Sequence, residues 1–199
     1  MKTESLQKHL AKFKGWRESL FLVMLAERSF PNYALFSDLV ELSTAEKMAD
    51  IINQCWEIIE ENDRNKDRTD KLLLTLDEIT PDPEKYEVYG LNPALDCCEL
   101  VQMVLFSWVN PENRRAHTAA MKSLNSVLEF IEYREGEGLD DDAMVELFDN
   151  HPLLIEENAF QEEAFKMIKA ERFPSASFIR KLKVLAENDG VSNLGISLE

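Results

Sequence analysis

The sequence predicts an all-α protein. It reads as a single compact multi-helix bundle over residues 1–199, with long central helices at about 93–109 and 111–134. Three observations carry that reading. Apolar residues recur with a period of about 3.6 residues along the chain, and strand-like alternation is nearly absent. Prolines stand just ahead of the periodic segments, where a first helical turn tolerates them. Only six glycines occur, which is poor material for phosphate-binding loops or all-β turns.

Taken in order, a short helix is expected near 3–13 and a second at 15–28. Pro31 then opens a third at 31–41. Ser43 followed by Glu46 fits a capping box ahead of a fourth, at 44–62. Residues 63–70 (DRNKDRTD) form a charged connector, a helix covers about 70–79, and 80–92 is irregular. Asn92-Pro93 and Asn110-Pro111 read as N-cap and first-turn pairs for the two long helices. The 93–109 segment is apolar nearly all round, with Asp96, Glu99, Gln102 and Ser107 as its polar residues, so it belongs inside the bundle. Residues 16–26 look similarly buried. The 111–134 helix is amphipathic, with Ala116, Ala120, Leu124, Val127 and Ile131 on one stripe. Helices at 140–150, 152–172 and 174–188 follow, and Gly190 is the expected stop.

The net charge is −16. Phosphate repels such a chain, so neither direct nucleic-acid binding nor an anionic membrane is expected as a partner. The charge is uneven. Residues 132–163 hold twelve acids against Arg134 alone, whereas the first seventeen carry Lys2, Lys8, Lys12, Lys14 and Arg17 against Glu4. These are either solvated faces with a mildly basic first helix or an acidic surface that receives a basic partner. Three cysteines, Cys55, Cys97 and Cys98, form no CxxC pair. A reduced, cytoplasmic chain is expected. The apolar run at 19–26 follows a basic segment but is short and abutted by Glu18, so it reads as a buried helix rather than a signal peptide. Leu198-Glu199 could be a cloning scar and is given no function.

No metal or cofactor is expected. None of His9, His117 and His151 has a Glu three residues before it, and no HExxH or Cys/His cluster exists. Asp140, Asp141 and Asp142 lack calcium-loop spacing and read as the charged start of a helix. No nucleophile elbow occurs, and Cys97 and Cys98 read as core. His117 and His151 read as surface or capping groups. What remains is polar and aromatic. Glu27, Arg28, Asn32 and Tyr33 stand at one expected helix junction, and Tyr89 and Asp96 at another. If the junctions at 27–33 and 86–96 meet, these six residues line a pocket. Otherwise they satisfy helix ends.

These junctions also carry a resemblance. Glu27-Arg28 with Phe30-Pro31-Asn32-Tyr33-Ala34-Leu35-Phe36 resembles the YjaG family of bacterial proteins. So do Tyr89-Gly90, Pro93-Ala94-Leu95-Asp96, Cys98, Trp16, Trp56-Glu57 and the tail Ser192-Asn193-Leu194-Gly195-Ile196. The likeness runs from about Trp16 to Ile196. It implies an all-helical fold and a bacterial cytosolic origin, and it brings no assigned activity and no catalytic residues. In that family position 92 can be aromatic and position 97 small, so Asn92 and the cysteine pair lie outside the resemblance.

The leading functional expectation is a non-enzymatic cytosolic interaction or regulatory protein whose acidic 132–163 face meets a basic protein. A homodimer is compatible with it. One alternative is a small-molecule binder or enzyme built on the six junction residues. Another is an acidic mimic of nucleic acid that occupies a DNA-binding protein.

Overall fold

The computed structural model describes residues 3–110 and 114–198. Among them are nine α-helices: α1 Thr3–Leu10, α2 Trp16–Leu39, α3 Ala45–Glu61, α4 Lys66–Ile79, α5 Leu91–Val109, α6 Arg115–Glu135, α7 Asp141–Asn150, α8 Pro152–Ala170 and α9 Ala176–Glu187. A single 3-10 turn, Asn188–Gly190, follows. Among the described residues strand-like pairing amounts to one isolated bridge, between Val191 and Ser197. The all-α expectation holds.

The expected break at Pro31 does not occur. One helix, α2, runs through it. An interior proline removes a backbone hydrogen bond and costs about 3 kcal/mol in isolation. Burial outweighs that cost, because 17 of the 24 residues of α2 are buried. Helix α2 packs most densely on α5, and this pair is the axis of the bundle. Helices α3, α6, α8 and α9 pack around α2, and α4 leans on α5. The main core draws on every α-helix except α7.

Several boundaries shift for local reasons. Helix α5 begins at Leu91 after Gly90, so Asn92 is not its cap, although Pro93 does sit in the first turn. Ser43 takes a left-handed φ of 54° and forms no capping box; Thr44 precedes α3 instead. The 63–70 connector is shorter than expected, because Asn65 accepts a hydrogen bond from the Asp67 amide and starts α4. Asn110 follows the last residue of α5 rather than opening α6, and Pro111 lies outside the described residues. Helix α9 starts at Ala176 under a Ser175 cap. Two caps match the sequence reading: Asp140 accepts from the Ala143 amide, and His151 accepts from the Leu153 amide with Pro152 as first helical residue.

A smaller apolar cluster lies apart from the main core. Val127, Ile131 and Leu194 form it, with Phe130, Leu147, Phe148, Leu153, Leu154 and Ile196 packed around them. Helix α7 and the C-terminal tail rest on this cluster. At Gly136 a Cβ would approach the Glu132 carbonyl oxygen to 2.6 Å. Only glycine lets the chain leave α6 there and turn into α7.

Candidate functional site

The six residues expected at the junctions do not gather into one pocket. Successive positions on α2 point to different neighbours, as a helix requires. The Glu27 carboxylate accepts from Trp56 Nε1 of α3 at 2.6 Å. Burial raises its pKa, against the pull of that hydrogen bond and of Lys183. Tyr33 is fully buried, donates to the Ile79 carbonyl at 2.8 Å and pairs with the Thr44 hydroxyl at 2.7 Å. Burial pushes its pKa upward. Tyr89 stacks on Tyr133 of α6 with ring centroids 3.9 Å apart. Burial and then the nearby Glu129 push it to about 12. Asp96 pairs with Lys122 at 2.9 Å, and Glu99 joins from the same helix at 2.7 Å. The two segments do touch, through the Phe36 ring against Tyr86 at 5.4 Å between centroids, but Tyr33 and Tyr89 turn to different partners.

Arg28 and Asn32 belong to a buried polar network that sequence reasoning missed. Arg28 donates to Glu157 of α8 at 3.0 Å and lies over the Phe160 ring at 4.5 Å. Glu157 is 0% exposed and also accepts from Ser123 at 2.7 Å and Gln161 at 2.8 Å. Asn193 of the tail donates toward Ser123 and accepts from Asn32 at 2.9 Å. The network joins α2, α6, α8 and the tail. Its partners lie up to 161 residues apart, so no local motif announces it. One signal was available. Glu157 shares the α8 stripe of Phe160, Ala164 and Ile168, an apolar face on which a carboxylate needs a partner. Its carboxylate is fully engaged, while the buried Asn32 Oδ1 lacks a hydrogen-bond partner among the described residues; a centre closed in this way suits a clamp rather than a catalytic centre.

Other nucleophiles are equally withdrawn. Burial pushes Cys55 and Cys98 up to about 12 and raises Cys97 as well. Thiols held that way stay protonated and weakly nucleophilic. Among the described residues no cluster of three His, Cys, Asp or Glu side chains could hold a metal ion.

The surface around α7 is different. Of the twelve acids at 132–163, Glu157 is buried and Glu162 half-buried, while Glu132, Glu135, Glu137, Asp140, Asp141, Asp142, Glu146, Asp149, Glu156 and Glu163 are exposed. No residue of α7 is fully buried. Val145 is 58% exposed and Ile155 54%. Beside them lies a groove of about 300 Å³ between α1, α6, α7 and α8. Leu124, Leu128, Phe148, Leu154 and Ile155 make its apolar wall, and Asn125, Asp149 and Asn158 its polar edge.

Comparison with known proteins agrees with the fold and extends over nearly the whole chain. Residues 5–197 match the family model described as Protein of unknown function (DUF416). A Haemophilus influenzae protein described as uncharacterized is 28% identical over 193 residues, covering 96% of each chain. The uncharacterized protein YjaG of Escherichia coli K12 is 24% identical over 94% of this chain and 93% of its own. The crystal structure of a DUF416 family protein from Shewanella baltica OS155 superposes with a TM-score of 0.86 at 26% identity, covering 96% of this chain and 98% of that one. No described helix is long and apolar enough to cross a membrane. With one fold and one family pattern shared from end to end, the chain belongs to the DUF416 family.

Proposed function

We propose that the chain is a non-enzymatic interaction protein that receives a basic, amphipathic segment of a partner protein on the α6–α8 face. The observation that supports this most strongly is an apolar groove set among exposed carboxylates. Leu124, Leu128, Phe148, Leu154 and Ile155 offer a place for apolar side chains of an incoming helix. The ten exposed acids of 132–163 supply the complementary charge, which speeds encounter with a basic partner and rejects acidic ones. Helix α7 buries no residue fully, so it can adjust around an occupant at small cost. The withdrawn thiols and the closed Arg28–Glu157 network favour binding over catalysis.

A peptide of Leu and Lys patterned as an amphipathic helix is the direct probe, with a Leu/Glu peptide of the same pattern as its counterpart. Fluorescence anisotropy should show the Leu/Lys peptide binding, and binding should weaken as salt rises. The Leu/Glu peptide should not bind. Equal binding of the two peptides, or indifference to salt, would overturn the proposal.

A further inference from the structure

Helix α1 gives Gln7 to that groove, but the cations of the N-terminal region take no part in it. Those cations line a separate cleft of about 590 Å³ formed by Gln7, Lys8, Ala11, Lys12, Arg114 and His117. Among the described residues no acidic side chain lines it, although the chain as a whole carries a charge of −16.

We propose that this cleft binds a small polyanion of the phosphate class. Three features of the site lead there. Lys8, Lys12 and Arg114 are exposed and His117 half-exposed. Among the described residues none of the four has an ion-pair partner, in contrast to the paired Arg28, Arg68, Lys122 and Lys166. Bringing unpaired cations together is unfavourable without an anion between them. The cleft also borders the start of α6, where Arg114 is the N-cap residue and supplies no side-chain cap. His117 stands in that first turn, so the amide end of a 21-residue helix adds to the positive potential. Finally, among the described residues the lining offers no Phe, Tyr or Trp on which a nucleobase could stack. The charge of the ligand is therefore what the cleft reads. Carboxylates elsewhere do not cancel this local field, because screening limits their reach to about 8 Å at physiological ionic strength.

Arg114 provides an unusual test. It holds a left-handed φ of 79°, a conformation that glycine adopts without strain. Arg114→Gly should keep or raise stability while removing one cation, so loss of binding cannot be blamed on loss of fold. Isothermal titration with inorganic pyrophosphate, at ionic strength fixed with sodium chloride, is the measurement. Wild type should saturate. Lys12→Glu and Arg114→Gly should each weaken binding by about tenfold, the equivalent of one lost charge-assisted contact. Lys181→Glu changes an exposed lysine of α9, carries the same charge change as Lys12→Glu and should leave affinity unaltered. Co-sedimentation with phosphatidylcholine vesicles containing phosphatidic acid separates the sources. Capture that Lys12→Glu abolishes assigns a lipid headgroup, and pyrophosphate binding without capture assigns a free phosphate. Failure to bind either probe, or equal weakening by Lys181→Glu and Lys12→Glu, would overturn the proposal. Neither result bears on the α6–α8 groove.

Discussion

Replacing Glu157 with alanine should destabilise the protein by about 3–5 kcal/mol, the cost of breaking a buried ion pair by removing one partner. The structure explains why the value belongs in that range. The carboxylate is 0% exposed and accepts from Arg28, Ser123 and Gln161. Without it, the Arg28 guanidinium stays 6% exposed with its charge uncompensated. Ser123 and Gln161 fare better, because Ser123 still meets Asn193 and Gln161 still donates to the Ala120 carbonyl. Most of the loss is thus the stranded charge. In a chain of this length each kcal/mol lowers Tm by roughly 2–4 °C, so Glu157→Ala should lower it by roughly 6–20 °C. Urea titration followed by circular dichroism measures the change. The double variant Arg28→Met, Glu157→Leu removes both charges and should recover more than half of the loss. A single-variant loss below about 1 kcal/mol, or a double variant as unstable as Glu157→Ala, would refute the clamp.

Three further outcomes follow from the same geometry. Glu27→Gln keeps an acceptor for Trp56 and removes a carboxylate whose pKa burial has raised. A raised carboxylate loses stability for the fold as pH climbs above its unfolded value, so the variant should equal or exceed wild type at pH 7 and show a flatter urea midpoint between pH 4 and 7. The three thiols should resist a thiol reagent at pH 8 in the native protein and react on unfolding. With Cys55 and Cys98 held at about 12, the unfolded chain releases protons first, and stability should fall as pH rises from about 8.5 toward 12. Asn193→Ala should cost about 1–3 kcal/mol, because Asn32 loses its buried acceptor and Ser123 a neighbour. A urea midpoint unchanged by that substitution would show that the tail contributes little.

The fold was legible because most local rules agreed with it. Pro152 and Asp140 punctuate the chain where their chemistry predicts, whereas α9 stops at a left-handed Asn188, two residues ahead of the expected Gly190. Pro31 misled because local propensity is a weak argument against a helix buried along most of its length. That one boundary also produced the expected junction at Glu27–Tyr33, and the six-residue pocket depended on it. In the continuous helix, Glu27, Arg28, Asn32 and Tyr33 face Trp56, Glu157, Asn193 and Ile79, four partners from four different segments. The polar network was harder to read, since contacts between residues 28 and 157 or 32 and 193 leave no spacing to find. Glu157 falls within the acidic run of 132–163, and its place on the apolar stripe of α8 is what distinguishes it. The surface acids themselves were legible, because a run of charge on a polar face stays solvated.

The proposed docking face is tested most directly by Ile155→Asp. This residue lines the groove and is 54% exposed, so the fold should tolerate the change. The substitution sets two contributions against each other. It adds negative charge, which by itself tightens binding of a basic peptide, and it removes an apolar contact from the groove. Anisotropy with the Leu/Lys peptide at physiological salt should show binding weakened by about tenfold if the groove seats the peptide's apolar face. Equal or tighter binding would mean that charge alone attracts the peptide and would contradict a docking site between α6, α7 and α8.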